Sequence, residues 1–209
     1  MLLMSEKYHP TKIYYTLKKF NNFKNNYNKV KNKNIQTENY LDNIEAKGRK
    51  LLISTQKYLD NDNIQHNIKI FGTKNSMQNL SNKYFTQFFV DSTYKCIPNN
   101  LGYKALLLII GYNSKNDNFE LCSVILFTHE DNETLSEMYY YLNLVWKFQP
   151  KRITYDFAQG NIKAINNVFG NKYNDILIIP CLFHLVQSWW KKMSKLGFRK
   201  KEYKKKPKY

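Results

Sequence analysis

Cysteine is too scarce in this chain to build a framework. Its 209 residues include three cysteines, Cys96, Cys122 and Cys181. The number is odd and no Cys-x-x-Cys pair occurs, which argues against a disulfide scaffold and fits a reducing compartment. Residues 1–70 hold no cysteine, which excludes a zinc-finger module there. No apolar stretch follows Met1-Leu2-Leu3-Met4-Ser5-Glu6, so no secretory signal is expected. The longest strongly apolar run, Ala105 to Gly111, falls short of the ~20 residues that span a bilayer, and no membrane partner is expected. Acids are also few: 16 Asp+Glu stand against 33 Lys+Arg, a formal net charge of +17.

That excess is unevenly placed. Residues 1–80 carry a net +8, residues 81–190 a net 0 and residues 191–209 a net +9. The middle of the chain is electrically balanced between basic flanks. Such flanks suit phosphate backbones or an acidic surface, or serve as solvated tails in a Lys/Asn-rich composition. Lys204-Lys205-Lys206-Pro207-Lys208 is similar to a nuclear import signal, so nuclear localisation is expected, with the cytoplasm as the alternative.

Three segments follow from pattern. Residues 1–67 form a Lys/Asn-rich region that is partly helical or loosely ordered, with Thr37 to Leu59 reading as its helical part. Residues 68–198 form the folded domain, and residues 199–209 a basic tail. Within the domain, Ile68–Phe71 is a short strand and Asn75 to Asn82 a short helix. Thr86 to Asp91, Tyr103 to Tyr112 and Phe119 to Phe127 read as strands, the last two joined by a polar hairpin turn. Asp131 to Phe148 reads as a helix, with Leu135, Met138, Tyr139, Leu142, Val145 and Trp146 at three- and four-residue steps. Asp131 or Asn132 can cap it. A strand over Lys151 to Asp156, a helix over Gln159 to Phe169, a strand over Ile176 to Ile179 and a helix over Leu182 to Leu196 complete the order. The continuous apolar run at Ile176 to Ile179 predicts a strand buried on both faces. Trp189 and Trp190 point about 100° apart on a helix; one is expected in the core. This is an α/β domain: a mixed sheet flanked by helices.

Two aspartates close apolar strands, in Phe88-Phe89-Val90-Asp91 and in Ile153-Thr154-Tyr155-Asp156. Either one alone does no more than end a strand and open a turn. Together, held on rigid backbone at the open edge of a sheet, they can supply oxygen ligands to Mg²⁺ or Mn²⁺.

The element order matches the ribonuclease H-like fold, and the motifs resemble the transposase domain of Mutator-like elements, one of the DDE transposases. Phe71-Gly72-Thr73 precedes the strand that ends at Asp91, the first of the family's fold. Asp91-Ser92-Thr93-Tyr94-Lys95 with Pro98 stands where the family has DGTFK…P, with Ser92 at the family glycine. Pro150-Lys151-Arg152-Ile153-Thr154-Tyr155-Asp156-Phe157 stands for PKxIxTDFE, with Ala158 at the common acid. Cys181-Leu182-Phe183-His184-Leu185-Val186-Gln187 matches CxFHxxQ. The match runs collinearly over residues 70–198.

The resemblance implies metal-assisted cleavage and transfer of DNA strands. Asp91 and Asp156 would be the catalytic, metal-holding carboxylates. His184 would meet DNA near the active site. Lys95 would touch the backbone beside it, and Lys191, Lys192 and Lys195 would make sequence-independent phosphate contacts. Cys181 with His184 offers two zinc ligands where a structural site needs four. Expected partners are DNA, as element termini and target, and a further copy of the chain in a homo-oligomer.

The family's third acid, a glutamate downstream of the Cys/His motif, has no clear counterpart. Only Asp175 and Glu202 follow Asp156. The first precedes a strand at the wrong end, and the second is embedded in a basic run. Three readings stay open: a truncated or inactive transposase copy, a non-catalytic DNA-binding module derived from one, and an enzyme completed in trans or by Glu202.

Overall fold

The structure, a computed structural model, describes residues 41–46, 49–59, 63–94, 97, 101–156, 158–170 and 176–197. The strands are β1 (Glu45–Ala46), β2 (Arg49–Lys50), β3 (Leu52–Leu59), β4 (Gln65–Phe71), β5 (Phe85–Thr93), β6 (Ala105–Asn113), β7 (Asn118–Phe127), β8 (Arg152–Tyr155) and β9 (Leu177–Pro180). The α-helices are α1 (Lys74–Gln78), α2 (Asn132–Trp146), α3 (Gln159–Ile165) and α4 (Leu182–Lys195). A π-helical turn, Asn166–Gly170, extends α3.

Seven strands make one mixed sheet in the order β3-β4-β7-β6-β5-β8-β9, while β1 and β2 form a separate two-stranded ribbon. β3, β4, β7, β6 and β5 are successively antiparallel; β8 and β9 join in parallel. The antiparallel part needs only short turns. Each parallel step needs a crossover, which α2 and α3 provide.

Period-2 alternation divides the sheet's apolar residues between two faces. On one face Ile68, Ile70, Phe88, Val90, Leu107, Ile109, Ile125, Phe127 and Ile153 pack with Leu135, Met138, Tyr139 and Leu142 of α2 and Ala164 and Ile165 of α3. Phe148 meets Phe88 edge-on, with ring centroids 4.9 Å apart. On the other face Phe71, Leu106, Leu108 and Leu126 join Leu41, Ile97, Leu101 and Tyr103 in a smaller cluster. Local signals fix the helix starts. Thr73 and Ser76 form a capping box at α1, and the Asp131 carboxylate accepts from the Thr134 N–H at 2.7 Å at α2. Lys147, left-handed at φ 55°, closes α2 ahead of Pro150.

Three expectations need correction. Thr37 to Leu59 is not a helix over its described part: only Leu41 and Asp42 are helical, and Leu52–Leu59 is a strand. Pairing with β4 from Leu52↔Phe71 to Leu59↔Gln65 supplies its hydrogen bonds, a partner that local periodicity does not show. The boundary expected at residue 68 therefore falls inside β4, and the sheet reaches back to Leu52. The strand at Ile176 to Ile179 is not buried on both faces. β9 is the edge of the sheet, and Leu177 is half-exposed. Neither tryptophan is core: Trp189 is 60% exposed and Trp190 54%. The remaining strands and helices lie where the pattern places them, within one or two residues at most ends. The reading of residues 1–36 as a loose arm lies outside the described residues, as do Asp175 and the 199–209 tail. Among the described residues no helix is long and apolar enough to cross a membrane.

Candidate active site

The parallel pairing of β5 with β8 aligns Gln87 with Arg152 and Val90 with Tyr155. One step further along, Asp91 and Asp156 stand abreast. Val90 and Tyr155 point into the main core, so Asp91 turns to the opposite face, and Asp156 is the first residue past β8. β9 continues the register, and the Cys181 N–H donates to the Tyr155 carbonyl at 2.8 Å. That bond seats the start of α4 beside the two aspartates. Three residues on, His184 Nε2 reaches Asp91 Oδ1 at 3.4 Å. Three motif elements far apart in sequence thus meet at one sheet edge.

β7 runs parallel to β5, because both are antiparallel to β6. The loop leaving β7 therefore opens at the same edge. Glu130 lies in it, between Phe127 and the Asp131 cap of α2. Both its carboxylate oxygens are sealed from solvent, and the Tyr94 phenol lies against them. The motif pattern points away from this residue, because the third acid it leads one to expect follows Asp156. The available signal was the polar run His129-Glu130-Asp131 closing an apolar strand that had to run parallel to the one ending near Asp91.

The electrostatics match this convergence. Burial pushes the Asp91 carboxyl above the usual carboxylate range. His184 opposes the rise, and the negative charges of Asp156 and Glu130 reinforce it. Oδ1 of Asp91 is sealed and has no hydrogen-bond partner, as is His184 Nδ1. Asp156 is better provided for: its Oδ1 accepts from the Ala158 N–H at 3.3 Å, the turn that a strand-ending aspartate is expected to make. The Tyr94 phenol is pushed upward by burial, then by its hydrogen bond to Glu130 and by the charges of Glu130 and Asp156. Beneath the site, the fully buried Tyr139 hydroxyl donates to Asn161 Oδ1 at 2.8 Å and joins α2 to α3. Burial, then Asp156 and Glu130, raise it too.

A second polar cluster braces the Glu130 loop from the far side. His66, buried on β4, places Nδ1 3.0 Å from Thr134 Oγ1 and 3.6 Å from Asp131 Oδ2. Tyr58 stacks on His66 with centroids 4.7 Å apart, and its hydroxyl lies 2.6 Å from Thr134 Oγ1. Burial raises the Tyr58 phenol to about 12. The cluster fastens the β3–β4 hairpin to the first turn of α2, which carries the Glu130 loop.

The donors suit a hard divalent cation: sealed carboxylate oxygens on Asp91 and Glu130, with Asp156 beside them. Among the described residues no group of three or more His, Cys, Asp or Glu is drawn together closely enough to hold a metal ion. Cys181 is a half-buried free thiol. Lys191, Lys192 and Lys195 are exposed on α4. Lys95 and Glu202 lie outside the described residues. No protein-family model matches the chain, and no curated protein matches it significantly.

Proposed function

We propose that this chain is a DNA-strand-cleaving domain of the Mutator-like transposase kind, built on a ribonuclease H-like sheet. The carrying observation is the placement of Asp91 and Asp156 side by side on neighbouring parallel strands, with His184 on Asp91. The strand order β7-β6-β5-β8-β9 supports the fold assignment, with β4 and β3 as additions beyond β7. The collinear motifs support the family, and Glu130 answers the missing third acid without recourse to Glu202.

In this reading Asp91, Asp156 and Glu130 would hold Mg²⁺ or Mn²⁺. When bound, such an ion polarises the scissile phosphate and lowers the pKa of water. The rest is the work of the chain. Rigid parallel strands fix the two aspartates so that little reorganisation is needed on binding. The sealed Glu130 oxygens keep a negative field on the site. His184, 3.4 Å from Asp91, stands where it could donate to a phosphate bound beside that carboxylate. His184, Lys191 and Lys195 recur at steps of seven and four, one face of α4, and give a DNA backbone a basic track leading away from the carboxylates.

A second reading is a DNA-binding module without catalysis. It is favoured by the lack of a closed ligand trio among the described residues and by the His184–Asp91 pair. Incubating the 209-residue chain with supercoiled plasmid and Mn²⁺ separates the two. The catalytic reading expects nicking that Asp91→Ala, Asp156→Ala and Glu130→Gln each reduce by at least ~100-fold, as loss of a main electrostatic group does. DNA retention without nicking in wild type selects the second reading. Neither nicking nor retention sinks both.

A further inference from the structure

The helix α4 is inside out. A surface helix normally turns its apolar stripe to the core and its polar side to water. In α4 no residue is buried. Leu182, Phe183, Val186, Trp189, Trp190 and Met193, with Leu196 just beyond, are 47–70% exposed. At 3.6 residues per turn they gather into one stripe about 140° wide. On the same wheel His184, which reaches Asp91, stands about 170° from the centre of that stripe. The helix gives its polar back to the active-site edge and its apolar front to the outside.

The stripe is large for a free surface. Phe183, Trp189 and Trp190 at 68, 60 and 54% exposure offer about 270–450 Å² between them, taking 150–250 Å² for each aromatic side chain. The aliphatic residues come on top. The largest patch on a typical monomer is about 300–600 Å² and is often functional. The spacing 182, 186, 189, 193, 196 alternates steps of four and three, the repeat with which one helix packs along another. Over 14 residues the seam is about 21 Å long.

Charge decides the occupant. No Asp or Glu occurs between residues 176 and 201, and Lys192 stands next to one border of the stripe. The whole chain is at +17, so a further copy would bring lysine to lysine and repel at long range. A nucleic acid would satisfy the lysines and leave Leu182, Val186 and Met193 in water. We infer that α4 docks an acidic amphipathic helix of a partner protein, with apolar residues at three- and four-residue steps and Asp or Glu along the flank that meets Lys192.

The test uses the full chain and a synthetic 21-residue helical peptide with leucines at heptad a and d positions and glutamates beside them. Its control is the same peptide with lysines replacing the glutamates. Trp189 and Trp190 report burial as a blue shift of emission. The acidic peptide is expected to give the shift and to bind at least ~10-fold tighter than the basic one, a margin of about 1.4 kcal/mol. Val186→Gln and Trp189→Gln, at exposed positions where folding is not at stake, should each weaken binding about 10-fold or more. Asp91→Ala should leave it unchanged. Equal binding of the two peptides, or none of the acidic one, overturns the inference. So does the same blue shift with a 20-bp duplex, which would make the face a nucleic-acid surface. Self-association that Val186→Gln abolishes would overturn it in favour of a further copy of the chain.

Discussion

Asp91 bears a charge that its surroundings disfavour. Burial and the nearby carboxylates of Asp156 and Glu130 outweigh the pull of His184, so the folded chain holds the Asp91 proton to a higher pH than the unfolded chain does. The sign follows from linkage. Between the ordinary carboxylate range and the raised value, the folded state binds more protons, and stability falls as pH rises. Above the raised value the cost of charging this half-exposed carboxylate, lessened by solvent screening, is present; below the ordinary range it vanishes. Asp91→Asn should therefore raise the melting temperature at pH 7, and the gain should shrink to nothing as the pH falls below the ordinary carboxylate range. Thermal unfolding followed by circular dichroism from pH 3 to 8 checks this; a melting temperature lowered at pH 7 would contradict it.

The helix α2 connects the sheet's outer hairpin to the site. Its cap residue, Asp131, accepts from the Thr134 N–H and lies 3.6 Å from buried His66, while its neighbour Glu130 turns to the aspartates. Asp131→Ala should cost about 1 kcal/mol through the lost cap. In urea this appears as a lowered midpoint with an unchanged slope, since the surface exposed on unfolding stays the same. If the chain nicks DNA as proposed, nicking should fall further than stability does, because the same turn carries Glu130. Asp131→Asn, which keeps a capping oxygen, should restore most of the stability. The helix α4 stands in contrast. It hydrogen-bonds to itself and seats His184, yet buries nothing, so polar substitutions along its stripe should alter partner binding and leave the urea midpoint within about 0.5 kcal/mol of wild type.

At the level of the molecule, charge and core are separated. The balanced middle of the sequence builds most of the sheet, and the excess of lysine sits at its margins. On the proposed function, binding to duplex DNA should therefore weaken steeply with salt, and it should do so equally for unrelated sequences. Replacing Lys191 and Lys195 with alanine should lower the slope of log affinity against log salt by about 2. Filter binding between 50 and 200 mM salt measures it. An unchanged slope would remove α4 from the DNA track.

Short-range periodicity made much of this protein readable. Apolar alternation announced β5, β6, β7 and β8, three- and four-residue steps announced α2, α3 and α4, and two aspartates closing apolar strands marked the edge where the site stands. These signals are written within a few residues of one another, where backbone geometry alone determines which side chains share a face. What lies across that face is not local. β3 took its strand form from hydrogen bonds to β4, β9 became an edge because nothing pairs beyond it among the described residues, and the tryptophans stayed outside because α4 meets the sheet with its polar side. Glu130 came to Asp91 only through the direction of β7 in the sheet. Pairing, edge position and helix orientation depend on contacts between distant segments, and those were decided by the folded packing.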